Sequence, residues 1–405
     1  MSKVLDKTST SAPKLQERRY DLDWLRVIAI ILVFIFHSAR FFQGEDLPWH
    51  IMNAESSIGM TAFVYYLGGF GMPFFFILAG MSTYYAIEFM KSRNIKNSKY
   101  LLDRSVRLMV PFIIGIFTHI PLQVYLERIY YSEFSGSYFA YYPKIFKGIY
   151  ELGGNFAIFG HHLWFLLLLF GFSIIAFPLF LFLRKENTKT GFLKITAFFR
   201  KPGMIFLLII PVFLFEFLNG ILGGIIPLFG GWTPMSQFLF FVYGFAFALD
   251  KEFKTTIEKH AIPSVIIVLV TAVLLGVSQF FFPNDLLFLV LADIYAWSWL
   301  IVLFAMGSKF LNKNTKSRRY LNELVLPFYI IHQTVIIVIG FFVIPLNLAI
   351  FAKYIIIVVS AFVATSLLLL IIREENTLRF LFGMRIKKEK SILRFFKKNK
   401  KNLES

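Results

Sequence analysis

The sequence predicts an all-α fold, a polytopic membrane bundle of about ten transmembrane helices with both termini in the cytoplasm. Three observations carry that expectation. Hydrophobic residues make up 57% of the 405 and charged residues only 16%, with a mean hydropathy of +0.67. A soluble chain of this length needs far more polar surface. The apolar residues fall into ten blocks, most of them long enough to cross a hydrocarbon core. Counting Arg26 and Arg107 at the cytoplasmic starts of their spans, all but five of the 42 Lys and Arg lie in alternate connections and the two tails, the exceptions being Arg40, Arg128, Lys144, Lys147 and Lys353. Positive charge gathers on the cytoplasmic side of a membrane protein, so this alternation sets the orientation.

The elements follow in order. Residues 1–19 read as a short polar cytoplasmic tail, with Arg18 and Arg19 flanking an uncleaved anchor. The membrane domain is expected over 20–372, with spans at 24–42, 60–89, 106–126, 161–183, 204–222, 235–249, 262–282, 285–307, 323–344 and 350–372. The second span carries Gly68, Gly69, Gly71, Pro73 and Gly80 and is expected to kink or tilt. The stretches 90–105, 184–203, 250–261 and 308–322 are charged and read as cytoplasmic loops, whereas 127–160 is a long outer loop rich in Tyr and Gly. A tight turn at Pro283–Asn284–Asp285 joins two spans. Residues 373–405 form a basic cytoplasmic tail, suited to anionic headgroups.

The net charge of +18 invites a nucleic-acid partner, but the charge lies where membrane topology puts it, so no nucleic-acid binding is expected. With no cysteine, a disulfide, a thiolate metal site and a cysteine nucleophile are all excluded. No His/Asp/Glu spacing resembles a metal motif, and no metal is expected.

The chemistry concentrates on the first span. Arg26 and His37 are eleven residues apart, so they share nearly one helix face about 16 Å apart along the axis. Asp23 precedes Arg26 by three residues, within pairing reach. An ionisable residue inside a span is costly and is usually retained for function; the bland alternative is a histidine bonded to a neighbouring helix. Six of the seven histidines fall at mid-depth or towards the outer side, all but His260, which suggests proton transfer there. His119 and His161 read as interfacial residues. Glu216 and Asp293 also lie within spans. On the cytoplasmic side Arg104 and Arg107 share a face and, with Arg26, offer groups for phosphates, although topology alone accounts for any single arginine.

These residues resemble the acyltransferase-3 family of membrane proteins. Arg26 and His37 match its Arg-x10-His signature, Asp23 its preceding acid, and PFFFILAG at 73–80 its aromatic–Gly stretch. Arg104, Arg107, Leu108 and Pro111 match its third-span motif, and His-Leu-Trp-Phe-Leu at 162–166 its fourth. Within the family the chain is similar to the glucan succinyltransferase branch, through Asp-Trp-Leu-Arg-Val at 23–27, Trp49, His50 and Asn53, Pro-Phe-Tyr-Ile-x-His-Gln-Thr-Val at 327–335, and Leu-Phe-Gly at 381–383. One departure is LLLLF in the fourth span, where many members carry a Glu; no role for that Glu carries over.

The resemblance implies a membrane O-acyltransferase of the bacterial cytoplasmic membrane. It moves a succinyl or acetyl group from cytoplasmic acyl-CoA, a substrate rather than a bound cofactor, to a hydroxyl of a periplasmic or envelope glycan. It implies catalytic roles for His37, Asp23 and His332. It implies acyl-CoA binding by Arg26, Arg104 and Arg107, and substrate binding by Trp49, His50, His162, Trp164 and Gln333. His37 serves either as base or as acyl carrier. Arg40, Arg128 and Lys353 are the candidates for receiving a succinyl carboxylate. The alternatives from other classes are a secondary transporter of an anionic or sugar-like solute, and a scaffold that shelters a lipid-linked sugar.

Overall fold

A computed structural model describes residues 19–44, 49–281 and 284–387. The N-terminal tail through residue 18, residues 45–48, the tail beyond 387 and residues 282 and 283, where the turn joining the seventh and eighth spans begins, lie outside the described residues. Fifteen helices follow one another: α1 Asp21–Ala39, α2 Ile58–Ser92, α3 Asn97–Phe117, α4 Ile120–Tyr130, α5 Tyr138–Tyr141, α6 Trp164–Leu183, α7 Glu186–Phe199, α8 Ile210–Ile221, α9 Pro234–Leu249, α10 Glu252–Lys259, α11 Ala261–Phe281, α12 Asp285–Phe310, α13 Lys316–Val343, α14 Ile350–Glu374 and α15 Asn376–Leu381. There are no strands among the described residues, only two isolated bridges.

Among the described residues, nine helical stretches are long and apolar enough to cross a membrane. The expected sixth span is the exception. Its helix α9 has 16 residues, roughly 24 Å of rise against a core of about 30 Å. Local signals set the ends. Thr233 accepts from the Ser236 N–H at 3.3 Å and Pro234 opens α9, while Thr315 caps α13 through the Arg318 N–H at 3.1 Å.

The bundle is built around α2, which packs on α9, α1 and α12, while α1 also packs on α13. The approach of α2 to α9 needs glycine on both sides. A Cβ on Gly80 would stand 2.0 Å from the Phe241 carbonyl oxygen, and one on Gly244 2.1 Å from that of Ile77. Small residues let membrane helices touch backbone to backbone. At the periphery α11 and α14 expose Leu269, Val273, Phe351 and Ile371, an apolar face suited to lipid.

The third span is built from two helices: α3 begins at Asn97 and ends at Phe117, and α4 restarts at Ile120. Pro121, without an N–H, fits the first turn of a new helix and not the interior of a continuing one. The stretch 184–203, read as a loop, contains α7, and 250–261 contains α10. Their charges masked a helical period: Phe192, Thr196 and Phe199 lie on one side of α7, and Thr196 donates to Asp250 Oδ2 at 2.6 Å.

Candidate active site

Three helical segments bring histidines together. His37 sits near the end of α1, His332 in the middle of α13, and His162 just before α6. His37 Nδ1 lies 2.9 Å from His332 Nε2. His332 Nδ1 lies 2.6 Å from the Tyr329 carbonyl oxygen, which can only accept. Nδ1 of His332 therefore carries the proton, and its Nε2 is the acceptor in the neutral ring. His37 must then donate from Nδ1, which leaves the lone pair on its Nε2. The same logic applies to His162: Nε2 donates to the Ile330 carbonyl at 3.0 Å, and Nδ1 is buried without a partner. Consecutive carbonyls of α13 thus fix two tautomers directly and a third through His332. The Trp49 ring lies parallel to that of His37, with centroids 6.3 Å apart.

His37 and His162 face a cavity of about 590 Å³, a size usual for small-ligand sites. Arg40, Trp164 and Tyr329 share it with them, while Glu216, Trp232 and Asp293 line it from α8, the following loop and α12. Gly230, at φ +60°, closes one side; a Cβ there would meet Met72 at 2.5 Å and Trp164 at 3.1 Å.

Behind the histidines lies a polar network. His50 Nδ1 bonds Glu127 Oε2 at 2.5 Å, and the Tyr150 hydroxyl donates to the same carboxylate at 2.8 Å. Gln333 Nε2 approaches His50 Nε2 at 3.4 Å and donates to Gln123 Oε1 at 3.1 Å. Burial, and next the Glu127 charge, hold the Tyr150 phenol well above its usual range. His161 packs edge-on to His50 and Tyr150, with centroids 4.4 and 4.6 Å away.

The opposite end of α1 is ionic. Asp23 pairs with Arg26 at 2.7 Å and with the buried Arg318, and Arg26 also donates to Ser82. Arg104 Nε donates to Ser173 Oγ at 2.6 Å. Arg107 is exposed, within electrostatic reach of Arg26, Arg104 and Arg385. The short helix α15 packs on α3 near this cluster.

The structure therefore divides the residues singled out in the sequence. His37, His162 and Trp164 meet at the cavity, with His332 and Trp49 against His37. His50 and Gln333 belong to the network behind, and Asp23, Arg26, Arg104 and Arg107 to the far end. Asp23 is fourteen residues from His37, roughly 21 Å along α1, and the two do not meet. Of the three candidate carboxylate receivers, Arg40 lines the cavity. Arg128 instead bonds Glu133 at 2.6 Å, and Lys353 bonds Asn53 at 2.8 Å. Sequence reasoning passed over Glu127, Gln123, Tyr329 and Arg318. Tyr329 lies inside the 327–335 motif and Arg318 inside a basic run, so only their spatial partners distinguish them.

Comparison with known proteins bears on this geometry. The chain matches a family model described as an acyltransferase domain over residues 19–374. It is 26% identical over 200 residues to the glucans biosynthesis protein C of Escherichia coli (strain K12), covering 47% of this chain and 48% of that protein. The protein of the same name from Escherichia coli O9:H4 (strain HS) is 25% identical over the same shares. The match spans about half the length of these relatives. No solved structure matches the chain. The family match runs from the first span to the end of the tenth and takes in both ends of α1 and the cavity between α1, α2 and α12. The chain belongs to the acyltransferase-3 family of membrane acyltransferases.

Proposed function

We propose that the protein transfers an acyl group, succinyl or acetyl, from cytoplasmic acyl-CoA to a hydroxyl of an extracytoplasmic glycan. The observation that carries this reading is the tautomer chain Tyr329 carbonyl–His332–His37, which presents an unprotonated Nε2 on a histidine that lines a cavity. An acceptor hydroxyl is a poor nucleophile until a base takes its proton, and a neutral imidazole does so near pH 7. In direct transfer, His37 Nε2 takes the hydroxyl proton as the oxygen bonds the thioester carbonyl carbon. The carbon–sulfur bond then breaks, and the departing thiolate takes the proton as free CoA. In the acyl-carrier version Nε2 itself attacks the thioester carbonyl carbon and the carbon–sulfur bond breaks to release CoA thiolate; the hydroxyl oxygen then bonds the acyl carbon, the carbon–nitrogen bond breaks, and the hydroxyl proton passes to the thiolate. His332 accepts from Nδ1 in both versions and steadies the charge that develops on the ring.

The arginine end suits the donor. Arg104 and Arg107 lie about one turn apart on α3, and phosphates are what such a pair binds. Arg26 and His37 are about 16 Å apart along the axis, a reach that the extended pantetheine arm of CoA covers. Asp23 acts here by holding Arg26 and Arg318, not on the reacting atoms. Arg40, beside His37 on the cavity wall, supports a donor with a terminal carboxylate. Both termini in the cytoplasm, in a bacterial inner membrane, complete the reading.

The test is mass spectrometry of envelope glycans from cells lacking the protein, with wild type or His37→Ala restored at equal membrane levels. An acyl mass present with wild type and absent with the variant supports transfer and identifies the group. Equal restoration by both would remove His37 from the chemistry.

A further inference from the structure

The His37 chemistry leaves two carboxyl groups of the same cavity without a role. Asp293, on α12, is 2% exposed, lines the cavity and accepts no hydrogen bond among the described residues; its Oδ2 is buried without a partner. A buried carboxyl in that state is costly, and natural structures seldom leave one unbonded. Glu216, on α8, is 8% exposed and lines the same wall. Its Oε1 accepts from the Thr233 N–H at 2.9 Å and the Thr233 hydroxyl at 2.8 Å, which fixes the group and leaves Oε2 for another donor. Two aromatic residues, Trp164 and Trp232, line the same cavity, and Trp232 is held by donating its indole N–H to the Gly69 carbonyl at 3.1 Å.

We propose that Asp293 and Glu216 form the acceptor subsite, which takes the hydroxyls of a neutral sugar and turns away acceptors bearing a carboxylate. This rests on the acyl-transfer reading above and adds the chemical class of the acceptor. Carboxyl oxygens supply what sugar hydroxyls need as donors, and indole faces suit the apolar side of a sugar ring. The cavity is also sorted by charge. Arg40 and the histidines stand along α1 and α6, and the acids along α8 and α12. An anionic acyl group finds its match at the His37 side, and a polyol at the acid side. A carboxylated acceptor meets the Glu216 carboxylate there, which disfavours it.

The experiment uses the full-length protein purified in detergent, with tryptophan fluorescence following a titration of β-linked glucotetraose or of the same tetrasaccharide oxidised to uronate at C6. Acceptor KM is measured alongside from CoA released to a thiol reagent, which meets no protein thiol because the chain has no cysteine. Wild type is expected to bind the neutral sugar about ten-fold or more tighter than the oxidised one. Asp293→Asn and Glu216→Gln each weaken neutral-sugar binding about ten-fold, because the amide replaces one of the two oxygens with an NH2 donor, and Glu216→Gln also narrows the preference. In both variants the acceptor KM rises while the KM for acyl-CoA does not move. The two substitutions keep side-chain volume, and thermal unfolding identifies folded protein; if one variant does not accumulate, the other decides. Wild-type affinity for the neutral sugar in the folded variants overturns the proposal, as does a wild type that binds neither sugar or prefers the oxidised one. Failure of the underlying reading looks different: His37→Ala would then still acylate the envelope glycan.

Discussion

The two ends of α1 carry polar groups of opposite character. At its start, Asp23 pairs with both Arg26 and Arg318 in an ion network. Near its end, His37 and His332 form a neutral chain whose last lone pair, on His37 Nε2, has no hydrogen-bond partner among the described residues. Both ends sit in spans where an unpaired charge is expensive. The difference shows that burial alone does not mark a reactive group. A network of paired charges holds helices together, and a neutral chain left open at one atom beside a cavity is available to a substrate.

That contrast breaks most sharply at His37. His37→Ala is expected to lower kcat/KM for acyl transfer by about 10²–10⁴, the usual contribution of a general base, without lowering the unfolding temperature. Steady-state CoA release and thermal unfolding in detergent check both halves. Arg318→Ala should do the reverse. It leaves Asp23 short of a buried partner, and removing one member of such a pair costs about 3–5 kcal/mol. A large fall in unfolding temperature, with kcat per folded molecule within a few-fold of wild type, is the expected result. If Arg318→Ala instead left stability intact and abolished turnover, the arginine end would be chemical as well. His332 tests the middle of the chain. His332→Leu removes the acceptor that fixes the His37 tautomer and should cost about 10- to 100-fold in kcat. His332→Gln can still accept from Nδ1 and should restore part of that loss, a recovery that a purely packing role would not show.

The sequence carried the bundle and the first span far better than the site. Hydropathy and the Lys/Arg alternation are long-range signals that every residue reinforces, so the spans emerged nearly in place. Helix α7 was lost because its lysines obscured a modest apolar face. The break at His119 was lost because a proline inside an apolar run reads equally as a kink or as a new start. His37 and Arg26 were visible because helical geometry alone relates residues on one helix. The His37–His332 contact joins α1 to α13 across 295 positions, and no local pattern encodes which nitrogen donates. Glu127 and Tyr150 were hidden for the same reason: their network joins His50 before α2, Glu127 on α4 and Tyr150 in the connection before α6.

The smallest expected effect concerns the Glu127 network, which is intermediate between the two ends of α1: it holds a carboxylate but sits beside histidines. Tyr150 donates to Glu127, and burial together with that charge raises its phenol above the ordinary value. The folded state therefore binds the phenolic proton more tightly than the unfolded chain, whose tyrosines titrate near pH 10. The stabilisation is fully present below that pH and is lost as pH rises from there towards the folded value. Tyr150→Phe should lower stability by about 1 kcal/mol at neutral pH, since His50 still bonds Glu127. Above roughly pH 10 the gap between wild type and variant should close. Unfolding temperatures of both proteins across pH 7 to 11 measure this. A constant gap over that range would mean that the hydroxyl contributes through shape and not through its proton.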